Sequence, residues 1–83
     1  TPPMLTIYPN PTSDILVLDC KSCETLTQRA VQIFDSNGKK VLEMNLYAPI
    51  SYIRLTQLPD GIYFASHLID KRPIETYKVV VHH

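Results

Sequence analysis

Apolar residues along this chain recur with period two rather than at helical spacing. Ile15-Leu16-Val17-Leu18 is a β-branched-rich run ended by Asp19, and Val31 and Ile33 alternate with Gln32, with Phe34 on the other face. Leu42, Met44 and Leu46 alternate with Glu43 and Asn45, and Ile53 and Leu55 alternate with Tyr52, Arg54 and Thr56. A longer run extends from Ile62 to Ile69, and Tyr77, Val79 and Val81 close the series around Lys78 and Val80. This alternation predicts strands, because side chains two residues apart share one face of a sheet. No long window carries an apolar i, i+3, i+4, i+7 face, so no substantial helix is expected.

Turn residues fall between the runs. Asp35-Ser36-Asn37-Gly38 fits a short hairpin loop in which Gly38 takes the positive φ. Leu58-Pro59-Asp60-Gly61 is a second corner, with Pro59 pre-setting φ and Gly61 expected to supply a permissive backbone. Asp70-Lys71-Arg72-Pro73 is read as a third. With a first strand around Leu5–Tyr8, the count reaches about seven strands at sandwich spacing. The expectation is an all-β, immunoglobulin-like β-sandwich of mostly antiparallel strands. It is read as one domain over 1–83, cut from a longer protein, with His82 and His83 set aside as a possible tag remnant.

Composition narrows what such a body can do. A chain of 83 residues, 45% of them hydrophobic, suffices for one core but not for a core plus a deep cleft. Eight basic and eight acidic side chains cancel, and no basic run, Lys39-Lys40 included, exceeds two residues. Neutralising phosphates takes several clustered cations, so nucleic-acid binding has no support. The apolar runs are far shorter than the ~20 residues a membrane-crossing helix needs.

The chain is poor in candidate chemistry. Cys20-Lys21-Ser22-Cys23 lacks the following helix that would activate a redox dithiol. It also lacks the further ligands that would complete a zinc site. The two cysteines could close a small disulfide at a strand end or remain inert thiols. Apart from His82-His83, His67 is the one histidine, which leaves a nucleophile without a positioned base. Gly38 and Gly61 are the only glycines, too few for a phosphate-cradling loop. No enzyme activity, no cofactor and no metal are expected.

Three segments carry a family likeness in their order and spacing. Tyr8-Pro9-Asn10-Pro11 precedes the strand from Ile15; Leu58-Pro59-Asp60-Gly61-Ile62-Tyr63 follows; Tyr77-Lys78-Val79-Val80-Val81 comes last. Between the first two, Val31 to Val41 reads as strand, turn and strand. Together they resemble the type A C-terminal sorting domain of the type IX (Por) secretion system. Each segment also has a physical reading. The prolines at 9 and 11 stiffen an extended stretch suited to a sheet edge. Tyr63, opening a strand just after a corner, is expected to form a tyrosine corner, its hydroxyl bonding back to upstream backbone. Lys78 is expected on a solvent-facing strand surface. His67 departs from the family pattern, which has an apolar residue there, and the Cys20–Cys23 pair is foreign to it.

The resemblance implies a non-catalytic secretion signal that directs an upstream cargo domain through an outer-membrane translocon. It implies removal of the domain by a sortase-like cysteine protease, cutting at or before Thr1–Leu5, and a route through the periplasm to the cell surface or medium. Tyr8, Pro9, Asn10, Pro11, Leu58, Gly61, Tyr63, Lys78, Val79 and Val80 would form the recognised motifs, with Tyr8–Pro11 and Lys78–Val81 near each other or on one contiguous surface. The alternative is an immunoglobulin- or fibronectin-like accessory module, a spacer or a carbohydrate binder using Tyr8, Tyr47, Tyr52 and Tyr77.

Overall fold

The structure is a computed structural model; residues 5–9, 11–20 and 28–83 are described. Seven strands follow one another: β1 (Thr6–Tyr8), β2 (Ile15–Asp19), β3 (Arg29–Phe34), β4 (Lys40–Leu46), β5 (Ile50–Arg54), β6 (Gly61–Ile69) and β7 (Arg72–Val81). They form a three-stranded sheet, β1-β2-β5, and a four-stranded sheet, β4-β3-β6-β7, with every strand pair antiparallel. No helix appears among the described residues. The all-β sandwich expected from the alternation is therefore present. In the immunoglobulin constant arrangement the fourth strand lies beside the fifth. Here β4 stays with β3, which divides the strands three to four.

Alternation now has a physical meaning. Leu16 and Leu18 of β2 and Ile53 of β5 point inward from the smaller sheet. Val31 and Ile33 of β3, Tyr63 and Ala65 of β6, and Val79 and Val81 of β7 point inward from the larger. These residues form one core with Leu5, Cys20, Leu46, Leu55 and Leu58. At ~25 cal/mol per Å² of apolar surface removed from water, this burial is the main term favouring the fold.

The corners differ from expectation in two places. At the β3–β4 hairpin, Gly38 has a φ of 85° as expected, and Asp35 Oδ1 accepts from the N–H groups of Asn37 and Lys39, both at 2.9 Å. Gly61, by contrast, has no positive φ and lies within β6; an added Cβ would meet only ordinary contact with the Tyr63 ring, at 3.7 Å. The β6–β7 corner is also tighter than the Asp70–Pro73 reading. Its loop is Asp70-Lys71 alone, both at positive φ (50° and 68°), the left-handed pair that matches the twist of a two-residue hairpin. Arg72 and Pro73 already belong to β7. Pro73 is tolerated because β7 is an edge strand, and because Ile74 is bulged where His67 pairs Glu75 and Leu68 pairs Pro73.

Candidate functional site

The segment after β1 links the two sheets. Tyr8-Pro9 is a cis peptide, and the chain beyond it leaves β2 for the edge of β7. Thr12 N–H donates to the Val80 carbonyl (2.9 Å), and His82 N–H donates to the Thr12 carbonyl (2.9 Å), a short parallel bridge. Thr12 is buried, and its hydroxyl donates to the Ile15 carbonyl at 2.8 Å. The first and last motif segments therefore meet through the residue that follows Pro11. Asn10 lies outside the described residues.

The side chains of those motifs face different ways. In β7, Val79 and Val81 are buried, whereas Lys78 is exposed and Val80 half-buried on the outer face. Lys78 lies directly across from Phe64, which in turn lies across from Phe34, and Val80 lies across from Ile62. With Phe64 37% and Ile62 44% exposed, the outer face of the larger sheet carries an apolar strip around the Lys78 cation. Tyr8 instead projects from the outer face of the smaller sheet. There it stands in one row with Val17 and Tyr52, about 10 Å from the latter by two strand spacings. The motif backbones are joined, but Tyr8 and Lys78 point to opposite sides of the sandwich.

Tyr63 forms the expected corner: its buried ring turns inward and its hydroxyl donates to the Pro59 carbonyl at 2.6 Å. Leu58 is buried beside it. Removing the hydroxyl in Tyr63→Phe should cost about 1 kcal/mol and lower the thermal midpoint by about 4–8 °C. A melt followed by circular dichroism checks this; an unchanged midpoint would refute the corner's structural role.

Cys20, immediately after β2, is buried and disulfide-bonded. Cys23, the only other cysteine in the sequence, lies outside the described residues. Sequence reasoning missed a buried polar cluster on the inner face of the larger sheet. Arg29 is 2% exposed and His67 fully buried. Arg29 Nη2 donates to the Ala48 carbonyl at 3.2 Å, while its Nε and Nη1 have no hydrogen-bond partner among the described residues. The one signal available was phase, since Arg29 sits two residues before the inward Val31 and Ile33. Across from His67, Glu75 Oε2 lies 3.7 Å from Nδ1, and the Tyr77 hydroxyl donates to the same carboxylate oxygen. That hydroxyl accepts from the Leu5 N–H at 3.2 Å.

Tyr77 is pushed up to about 12, by burial first and the Glu75 carboxylate second, against a smaller opposite pull from the Leu5 N–H. The folded value thus exceeds the ordinary 10.0, so the neutral phenol stabilises the fold below pH 10. That contribution fades as pH climbs from 10 toward 12. A tyrosinate absorbance titration run beside alkaline unfolding should show Tyr77→Phe losing part of this alkaline sensitivity.

A shallow depression of about 450 Å³ lies over Ala30 on the outer face of the larger sheet, rimmed by Gln32, Glu43, Asn45 and Leu68. Its lining holds no serine, cysteine or histidine among the described residues. Among the described residues, no group of His, Cys, Asp and Glu is arranged to hold a metal ion. No helix among the described residues is long and apolar enough to cross a membrane.

No curated protein matches the chain. A family model described as "Secretion system C-terminal sorting domain" matches residues 6–82, a span from the first residue of β1 to the residue after β7. With its two-sheet body and its joined first and last motifs, the chain belongs to this family, the C-terminal sorting domains of type IX secretion, which mark a protein for export across the outer membrane.

Proposed function

We propose that the outer face of the larger sheet around Lys78 is the surface by which the export machinery reads this domain. The observation that carries this reading is the split within the last motif: Val79 is consumed by the core, while Lys78 and Val80 face outward beside Ile62, Phe64 and Phe34. A cation set in an apolar strip suits a translocon component offering apolar side chains and a carboxylate. Aromatic and apolar anchors would supply affinity, and the charge would fix register. Tyr8, Pro9, Asn10 and Pro11 would act by seating Thr12 against β7, and Leu58, Gly61 and Tyr63 by shaping the corner before Ile62. The cargo lies upstream. A sortase-like cysteine protease then removes the domain near Thr1–Leu5, after passage through the periplasm to the cell surface or medium. The domain itself performs no reaction and needs no cofactor.

Fusing residues 1–83 behind a reporter in a type IX-competent host, and in the same host lacking the translocon, tests the reading. The reporter should appear outside only in the first. Its retention in both, with the domain folded, would sink the proposal. A second reading, an accessory module binding carbohydrate, is favoured by one observation: Tyr8 and Tyr52 flank Val17 in a flat row on the smaller sheet. Tyr47 stands apart, after β4, and Tyr77 turns inward, so a platform would rest on two rings. Binding to a glycan panel that is lost in Tyr52→Ala would support this second reading.

A further inference from the structure

The buried cluster on the inner face has no part in an outward recognition surface, yet it reaches the start of the domain. Four groups stand in line: the Leu5 N–H donates to the Tyr77 hydroxyl, that hydroxyl donates to Glu75, and Glu75 lies 3.7 Å from His67 Nδ1. At that distance His67 and Glu75 are just beyond hydrogen-bond range. Among the described residues neither imidazole nitrogen has a hydrogen-bond partner, although the side chain is fully buried. We propose that His67, Glu75 and Tyr77 form an acid-sensitive latch on the N-terminal edge of the domain, closed when His67 is neutral and released when it gains a proton.

A neutral imidazole makes no strong demand on Glu75, whose Oε2 accepts the Tyr77 proton. An imidazolium does, because a buried cation without a partner is far costlier than a buried neutral ring. Its Nδ1–H needs a shift of less than 1 Å to bring Glu75 from 3.7 Å into a charge-assisted bond of about 2.8 Å. Drawn toward His67, Glu75 Oε2 weakens its hold on the Tyr77 proton, and the hydroxyl that accepts from Leu5 is anchored less firmly. Leu5 is itself a core residue immediately before β1, and β1 is an edge strand of three residues. Its attachment therefore depends on few bonds.

The charged surroundings fix the direction. Facing His67 on the larger sheet are Arg29 from β3 and Glu75 and Tyr77 from β7. The smaller sheet turns its apolar face inward, and Tyr8, Tyr52 and Arg54 alternate to its outer side; Cys20 is disulfide-bonded. Burial, chiefly, holds His67 below its ordinary 6.5, with Glu75 opposing and Arg29 assisting. A depressed histidine contributes stability that is complete above 6.5 and declines as pH falls from there toward the folded value. Acid, not alkali, opens the latch.

Amide hydrogen exchange by NMR on the full chain tests it. Between pH 7.5 and 5.0, after correction for intrinsic exchange, protection of the Leu5 amide should fall about tenfold, each ~1.4 kcal/mol of easier opening being a factor of ten. The Val31 amide in β3 should keep its protection, and the His67 ring signals should titrate over the same interval as the Leu5 loss. His67→Gln and the apolar His67→Leu should each remove the pH dependence of Leu5. Constant Leu5 protection in the wild type overturns the latch, as does loss of Leu5 and Val31 together. So does an unaltered pH response in whichever variant folds. Should neither fold, the wild-type exchange and the ring titration decide the matter alone.

Discussion

Reversing the charge at Lys78 should abolish export of a fused cargo while leaving the domain folded. In Lys78→Glu the side chain remains on the exposed outer face, across from Phe64, so stability should change by no more than the ~1 kcal/mol an exposed charge contributes. A misplaced like charge at an interface costs several kcal/mol, and each ~1.4 kcal/mol is tenfold in affinity. Secreted reporter should therefore drop at least about tenfold in a type IX-competent host. Val79→Ala is the informative companion, because Val79 is fully buried. It should weaken export only in proportion to lost stability. Full secretion by a folded Lys78→Glu domain would move the recognised surface elsewhere. Deleting Lys78–Val81 outright could not make this distinction, since it removes two core valines along with the outer face.

The largest stability loss is expected at Leu16. It is fully buried, pairs with Ile53 across the smaller sheet and faces the larger one. Leu16→Ala should cost about 2–5 kcal/mol, the usual range for a buried leucine cut back to its β-carbon. A chain of 83 residues holds only about 4–12 kcal/mol in total. The midpoint should thus fall by ~10 °C or more, read by circular dichroism. A loss below ~1 kcal/mol would mean that the core is not closed around this residue.

What the sequence disclosed, and what it hid, follows from what alternation encodes. Period two tells which side chains share a face, so Val31 with Ile33 and Val79 with Val81 were legible as inward pairs. It does not tell which sheet a strand joins. Hence the placement of β4 beside β3, and the projection of Tyr8 and Lys78 from opposite outer faces, came only with the register. The start of β7 was misplaced because Pro73 reads as a turn residue, whereas an edge position and the bulge at Ile74 accommodate it. Gly61 was given a conformational duty it does not have. Arg29 went unnoticed because charge normally argues against burial, and only its phase with Val31 pointed inward. Tyr63, by contrast, was placed from local sequence, because a corner followed by an aromatic constrains geometry over a few residues.

The bridge from Thr12 to Val80 and His82 also bears on when the domain can work. Residues near the start of the fold find their partners some seventy positions later, and two core valines arrive on the last strand. A ribosome that stalls or terminates before Val79 would release a polypeptide whose label never assembles. Shape-based addressing of this kind would keep unfinished cargo inside without a dedicated inspection step.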